Sequence, residues 1–252
     1  MEPHACLAVP RGDELILHVS TQIVSAARAS IASTLQIDPE RIHIVAPYVG
    51  GGFGSKLRIH YETILAALAA RALDRPVKVT LTRQQIFHLT GARPTASQRV
   101  RLGAERDGRL VAIGHEITMS SSRHAEYAEL TALTTRSLYA APHRLTRTQL
   151  TPLDLPRGED VRAPGDAPGL LAVESAMDEL AHALGMDPVE LRIHNESKLA
   201  TTAAATSNVL KTKSIGWPTA SEMNTSAGAT NKAICVEEPI AISSVISTLF
   251  RT

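Results

Sequence analysis

Along the first half of the chain, apolar positions switch between a period of two and a helical repeat, and each switch falls at a turn signal. In Leu15-Ile16-Leu17-His18-Val19 every odd position is apolar, the alternation of a strand with one buried face. Residues 6–10 and 14–20 therefore read as two strands joined by Arg11-Gly12-Asp13, a hairpin turn by composition. His18 falls on the solvated face. From Ser25 to Leu35 the pattern is that of an alanine-rich helix, closed by Asp38-Pro39-Glu40 ahead of a strand at 42–46. A second helix is predicted over 60–73, alanine-rich and apolar on one face, carrying Ile64, Leu65, Leu68 and Leu73. It ends near Asp74-Arg75-Pro76, and residues 77–81 alternate again as a strand.

In the second half, residues 98–107 and 109–118 form the clearest hairpin, turning at Asp107-Gly108. The stretch 123–148 mixes Ala, Arg and Thr and reads as a helix followed by a loop through Pro142, with a strand from Leu145 to Leu153. The strongest helical pattern covers 170–184, with Leu170, Leu171, Val173, Ala176, Met177, Leu180, Ala181 and Leu184 on one broad face. Pro168-Gly169 marks its start and Gly185 its stop. A short helix through Val189, Leu191 and Ile193 follows Asp187-Pro188. At Ser197 the composition turns to Ala, Thr, Ser and Asn, and apolar periodicity is lost until Ile240–Ile246. The expected organisation is a partial domain over 1–196 and a divergent, poorly ordered tail over 197–252.

Bulk properties narrow the function classes. Apolar residues make up 44% and charged residues 20% of the 252 positions, enough for a packed core. Aromatics are only 3%, so that core must rest on Ala, Leu, Ile and Val. The 26 basic and 25 acidic side chains nearly cancel, which gives no electrostatic reason to expect nucleic acid or a membrane surface as partner. No apolar run reaches the roughly 18 residues of a membrane span. Cys6 and Cys235 match no zinc spacing and make no disulfide framework, and Cys6 reads as a small core residue. The histidines are scattered, mostly polar surface by pattern. His60-Tyr61-Glu62 and His124-Ala125-Glu126 have the His-x-Glu spacing of zinc deaminases, but no Pro-Cys-x-x-Cys follows them.

The unusual chemistry lies in Val49-Gly50-Gly51-Gly52-Phe53-Gly54-Ser55-Lys56, set between a β-branched run and a helix. A strand, a glycine-rich turn and a helix together offer bare backbone N–H groups to an anionic or strongly polar ligand. Two nucleotide motifs fail on it. A P-loop needs a glycine where Ser55 stands and a Ser or Thr where Leu57 stands, and the dinucleotide pattern fits Gly50 and Gly52 but then meets Ser55. A nucleotide-binding domain is thus the remote alternative, and a tight turn with no ligand is the plain one. A second unusual loop runs through Asp160-Val161-Arg162-Ala163-Pro164-Gly165-Asp166-Ala167-Pro168-Gly169.

Four pieces, agreeing in order and spacing over residues 1–196, resemble the molybdenum-cofactor-binding subunit of the xanthine dehydrogenase and aldehyde oxidase family. They are Glu2-Pro3-His4-Ala5-Cys6, Val19-Ser20-Thr21-Gln22, Gly51-Gly52-Phe53-Gly54-Ser55-Lys56, and residues 161–169 with Glu174 and Asp178-Glu179-Leu180-Ala181. The last is similar to the bacterial aldehyde oxidoreductase branch. The resemblance implies an α+β fold of mixed sheets with flanking helices, part of a molybdopterin-binding region. It implies a molybdenum–molybdopterin cofactor held without direct side-chain ligands to the metal. Gln22 would hydrogen-bond a terminal ligand of the molybdenum, Gly51, Gly52, Phe53 and Gly54 would bring backbone close to it, and Arg162 would lie near the cofactor. The implied substrate is an aldehyde, the implied partners are iron–sulfur and FAD subunits, and the implied compartment is the cytoplasm, with the periplasm as alternative.

Three departures set expectations. Leu57 stands where the purine-oxidising branch has Glu, which favours an aldehyde. The family's general base, a glutamate in a Gly-x-Gly-Glu motif, has no counterpart among the 252 residues, so no catalytic residue is assigned. The resemblance also stops near Glu196, before the family's second cofactor domain. The expectation is therefore a fragment of an aldehyde-oxidising molybdenum hydroxylase that takes up cofactor weakly or not at all and is inactive as an isolated chain. A shifted reading frame would account for residues 197–252.

Overall fold

In the computed structural model of the chain, which describes residues 2–196 and the backbone of 234–241, the four predicted N-terminal strands pair into one sheet. Strands β1 (Ala5–Arg11) and β2 (Glu14–Val19) form the hairpin expected from the alternation, with Leu15, Leu17 and Val19 buried and His18 exposed. Helix α1 (Val24–Leu35) then carries the chain over to β3 (Ile42–Val45), which lies parallel to β2. Parallel neighbours require such a crossover. Strand β4 (Val77–Thr80) pairs antiparallel with β1 on its other side, giving the order β3-β2-β1-β4. This first unit consists of Met1–Arg93 and Pro156–Arg162.

Helix α2 (Tyr61–Leu73) occupies the predicted span but turns a different face inward. Its buried positions are Glu62, Thr63, Ala66, Ala67 and Ala70, whereas Leu65, Leu68 and Leu73 are exposed and Ile64 only partly covered. Alanines let a helix backbone approach a sheet closely. The leucines are then left on the outer side, because they sit on the wrong arc of the 3.6-residue repeat. Cys6 and Ala8 from β1, Leu15, Leu17 and Val19 from β2, Ile42 from β3, and Ile31 and Ala32 from α1 complete this core. Cys6 is a buried free thiol whose pKa burial pushes up to about 12. Helix α3 (Arg83–Leu89), absent from the sequence reading, begins on a capping box in which Thr82 and Gln85 satisfy each other's backbone N–H groups.

The second unit comprises Pro94–Leu155 and the chain from Ala163 onward. Strands β5 (Ala96–Ala104) and β6 (Leu110–Ser122) form the predicted hairpin about Asp107-Gly108. The mixed stretch 123–148 yields only a five-residue helix, α4 (Leu133–Ser137), before β7 (His143–Leu153), which runs parallel to β6. Strand β8 (Ile234–Ala241) pairs antiparallel with β5, so one piece of the expected tail is a strand. The expectation of a poorly ordered tail otherwise falls on 197–233 and 242–252, outside the described residues. Helix α5 (Asp166–Leu184) starts four residues before its predicted span. Pro168 is tolerated there because first-turn N–H groups have no partner within the helix. The helix buries Ala172, Val173, Ala176, Met177, Leu180 and Ala181 against Val100, Leu102, Leu110 and Ile113, but leaves Leu171 exposed. It ends at Gly185, in the left-handed region at φ 67°.

Helix α6 (Pro188–His194) follows, capped by the Asp187 side chain on the Val189 and Glu190 N–H groups. Its last turn is tied to the hairpin by Asn195, which accepts from Leu110 N–H and donates to the Gly108 and Leu191 carbonyls. Two mixed four-stranded sheets with flanking helices give the α+β class expected. Among the described residues no helix is long and apolar enough to cross a membrane.

Candidate functional site

The register of the first sheet decides what meets at its edge. Strand β1 enters where β2 leaves, since Cys6 pairs with Val19, and β3 and β4 both run in the direction of β2. The segment before β1 and the segments after β2, β3 and β4 therefore all emerge on one side. These are Glu2–His4, Ser20–Gln22, the glycine loop, and Leu81–Arg93. The carboxyl edge of parallel strands is where α/β sheets gather loops that can hold a ligand.

At this edge the glycine loop folds around Gln22. The Gln22 amide oxygen accepts the Gly54 N–H at 3.1 Å and the Lys56 N–H at 3.3 Å, and the Gln22 N–H donates to the Lys56 carbonyl at 2.8 Å. Two N–H donors on one side of the amide fix which of its ends is oxygen. Its NH2 group then points away from the loop, without a partner among the described residues, on an exposed side chain. Gly52 has no room for a side chain, because a Cβ there would stand 2.2 Å from that amide oxygen.

Asp160, Val161 and Arg162, the part of the second unusual loop that belongs to the first unit, close on the glycine loop. Arg162 N–H donates to the Phe53 carbonyl at 3.0 Å, and its guanidinium carbon lies 6.0 Å from the centre of the Phe53 ring. Gly54, at φ 94°, packs directly on the Asp160 carbonyl, which would be 2.1 Å from a Cβ. Arg93 holds the same strip by donating to the Val161 and Arg162 carbonyls at 2.7 and 2.8 Å. Phe53 itself is 54% exposed and adopts φ 51°. A large residue held in the left-handed region and turned outward, among glycines, is the kind of local strain that collects at functional sites.

The structure thus brings Gln22, Gly51, Gly52, Phe53, Gly54 and Arg162 together within the first unit. Gly51 has the Phe53 ring edge against it. The space beside Gly52 is taken by Gln22 and that beside Gly54 by the Asp160 carbonyl.

Sequence reasoning missed the residues that brace the loop from behind. Of the ten histidines, His4, His60 and His115 are buried, not on the surface. His4 and His60 converge on the Ser55 carbonyl, with their Nε2 atoms 3.1 and 2.8 Å from it and their rings meeting edge to face. Burial lowers the His4 pKa, outweighing the Ser55 hydrogen bond that raises it. A neutral imidazole protonated at Nε2 can donate to that carbonyl. No local pattern announces a contact between positions 4, 55 and 60. Among the described residues no group of three or more His, Cys, Asp or Glu side chains could hold a metal ion.

The residues present suit a large polar cofactor bound through hydrogen bonds. An aimed amide NH2, an exposed arginine, an exposed aromatic ring and close backbone stand within one loop cluster, and that donor set fits a pterin-held metal centre.

Comparison with known proteins agrees with this reading. The "Aldehyde oxidoreductase molybdenum-binding subunit PaoC" of Escherichia coli K12 is 46% identical over 199 residues, covering 79% of this chain and 27% of its own length. The "Putative xanthine dehydrogenase molybdenum-binding subunit XdhA" of the same strain is 31% identical over 208 residues, with the same coverages. The chain thus spans about a quarter of the length of these curated relatives. Among solved structures, the aldehyde oxidoreductase from Desulfovibrio gigas matches with a TM-score of 0.72 at 28% identity, over 79% of this chain and 22% of that one. Quinoline 2-oxidoreductase from Pseudomonas putida 86 matches with a TM-score of 0.69 at 28% identity, over 78% and 26%. The profile of the molybdopterin cofactor-binding domain matches residues 1–196, and the chain belongs to that family.

Proposed function

We propose that this chain forms one wall of the cofactor site of a molybdenum hydroxylase that oxidises an aldehyde to a carboxylic acid. The observation that carries the proposal is Gln22, whose amide oxygen is held by two loop N–H groups while its NH2 remains free to donate. Gln22 orients a polar ligand of the cofactor, Phe53 shields one side of the site from water, and Arg162 supplies a planar cation beside it. When bound, the molybdenum centre supplies the two-electron oxidation that places a water-derived oxygen on the substrate carbon. Higher identity to the aldehyde oxidoreductase subunit than to the xanthine dehydrogenase subunit, together with Leu57, supports an aldehyde over a purine. Electrons leave to iron–sulfur and FAD subunits, since two cysteines cannot hold a cluster here.

The 252 residues contain no Gly-x-Gly-Glu, and this favours a second statement about the chain by itself. It does not turn over. Equilibrium dialysis of the purified chain against molybdopterin, followed by pterin fluorescence, tests the first statement. Wild type should bind saturably. Gln22→Glu keeps the oxygens that the loop needs but loses the NH2, and should bind roughly tenfold more weakly with an unchanged circular dichroism spectrum. Absence of saturable binding by wild type, or equal binding by the variant, would overturn the site as drawn. Aldehyde-dependent dye reduction by the chain alone would overturn the second statement.

A further inference from the structure

Among the described residues Lys56 is the largest fully buried side chain, 2% exposed, in a position no local pattern marks as core. A buried ammonium is costly unless it is paired and hydrogen-bonded. Its Nζ meets both conditions. It lies 2.7 Å from Glu2 Oε2 and also donates to the Val49 carbonyl, seven residues back along its own loop. The side chain therefore runs underneath the glycine loop and joins its first residue to its last.

Gly50 shows that the loop is built around this pair. At φ 65°, a Cβ on Gly50 would stand 2.2 Å from Glu2 Oε2. The missing side chain at Gly50 leaves the Glu2 carboxylate room beside the loop where it meets the lysine. We infer that the Glu2–Lys56 pair is a positioning latch that holds the glycine loop in its cofactor-ready shape, acting through Gln22 and Phe53 and touching no cofactor itself. The functional meaning of that shape rests on the proposed cofactor site, but the latch can be observed without any cofactor.

The four amides that report loop order are those of Gly54, Ser55, Lys56 and Leu57, which donate to Gln22, Gly52, Gln22 and Gly54 respectively. Hydrogen exchange of the full 252-residue chain, without cofactor, should show these amides exchanging roughly tenfold faster in Glu2→Gln and in Lys56→Met. Amides of β1, β2 and α2 should keep their wild-type rates, which a mere loss of global stability would not allow. The double variant should be no faster than Lys56→Met alone, because the two groups act as one unit. Glu2→Gln keeps the measurement usable if Lys56→Met fails to fold, since Glu2 is half-exposed. Unchanged loop exchange in Glu2→Gln, acceleration spread evenly over the sheet, or additive effects in the double variant would each overturn the latch. If the latch behaves as described and the wild type still takes up no molybdopterin, the cofactor reading fails and the latch stands.

Discussion

The two units put a helix on a mixed sheet by opposite means. In the first, α2 meets its sheet through Ala66, Ala67 and Ala70 and keeps its leucines outside. In the second, α5 meets its sheet through Val173, Met177 and Leu180. One polar network from each unit shows a second difference. His115 is fully buried in the second unit, with Thr135 Oγ1 2.7 Å from Nδ1 and Gln98 Oε1 2.9 Å from Nε2, and Gln98 donates onward to the Pro168 carbonyl. Every end of that chain of bonds is occupied. Around the glycine loop, Gln22 ends in a group with nothing to bond among the described residues. The His115 network is closed on the protein's own groups, whereas the Gln22 amide leaves its NH2 turned outward.

Removing bulk from the second unit should have the largest effect. Met177→Ala leaves a cavity beneath α5 and should destabilise by about 2–5 kcal/mol, read from urea unfolding, with exchange rising first at α5, β5 and β6. A change felt equally at the glycine loop would break the separation between the two cores. Next comes pH. Burial lowers the His115 pKa from 6.5 to about 4, so between those values the unfolded chain binds a proton that the folded one refuses. The contribution is fully present above pH 6.5 and is lost as pH falls towards 4, about 3 kcal/mol in all. His115→Gln should remove that part of the slope in urea midpoints measured from pH 7 to 4. Adding bulk to the first unit should have the smallest effect of the three. Ala67→Leu pushes α2 off its sheet and should cost about 1–3 kcal/mol in the same unfolding assay. A stabilised variant would show that the alanine face is underpacked.

How much of this could be read from the residues depended on how far apart the partners lie. The β1–β2 hairpin, the turn at Asp107-Gly108 and the stop at Gly185 rest on neighbours in sequence, and the structure has them where the pattern put them. The inward face of α2 was misread because leucine outranks alanine in hydrophobicity, whereas closeness of approach favours the smaller residue. Helix α3 carried a visible signal, Thr82 with Gln85 three places on, that the reading passed over. At the site, the glycine run and Arg162 stood out as motifs. The contacts of Lys56 with Glu2, 54 residues away, and of Ser55 with His4, 51 away, leave no periodic trace. They exist only because the sheet register returns those segments to one edge.

Pro156–Arg162 belongs to the first unit although the whole β5–β7 sheet region precedes it in the chain. This orders events during synthesis. Strands β1 to β4 can leave the ribosome and pair, but the carbonyls that Arg93 holds and the N–H that anchors Phe53 are made only after some sixty further residues, Pro94–Leu155, have been translated. The loop at the heart of the candidate site is thus among the last parts of its own unit to be secured, and a nascent chain halted before Arg162 would present it half-fastened.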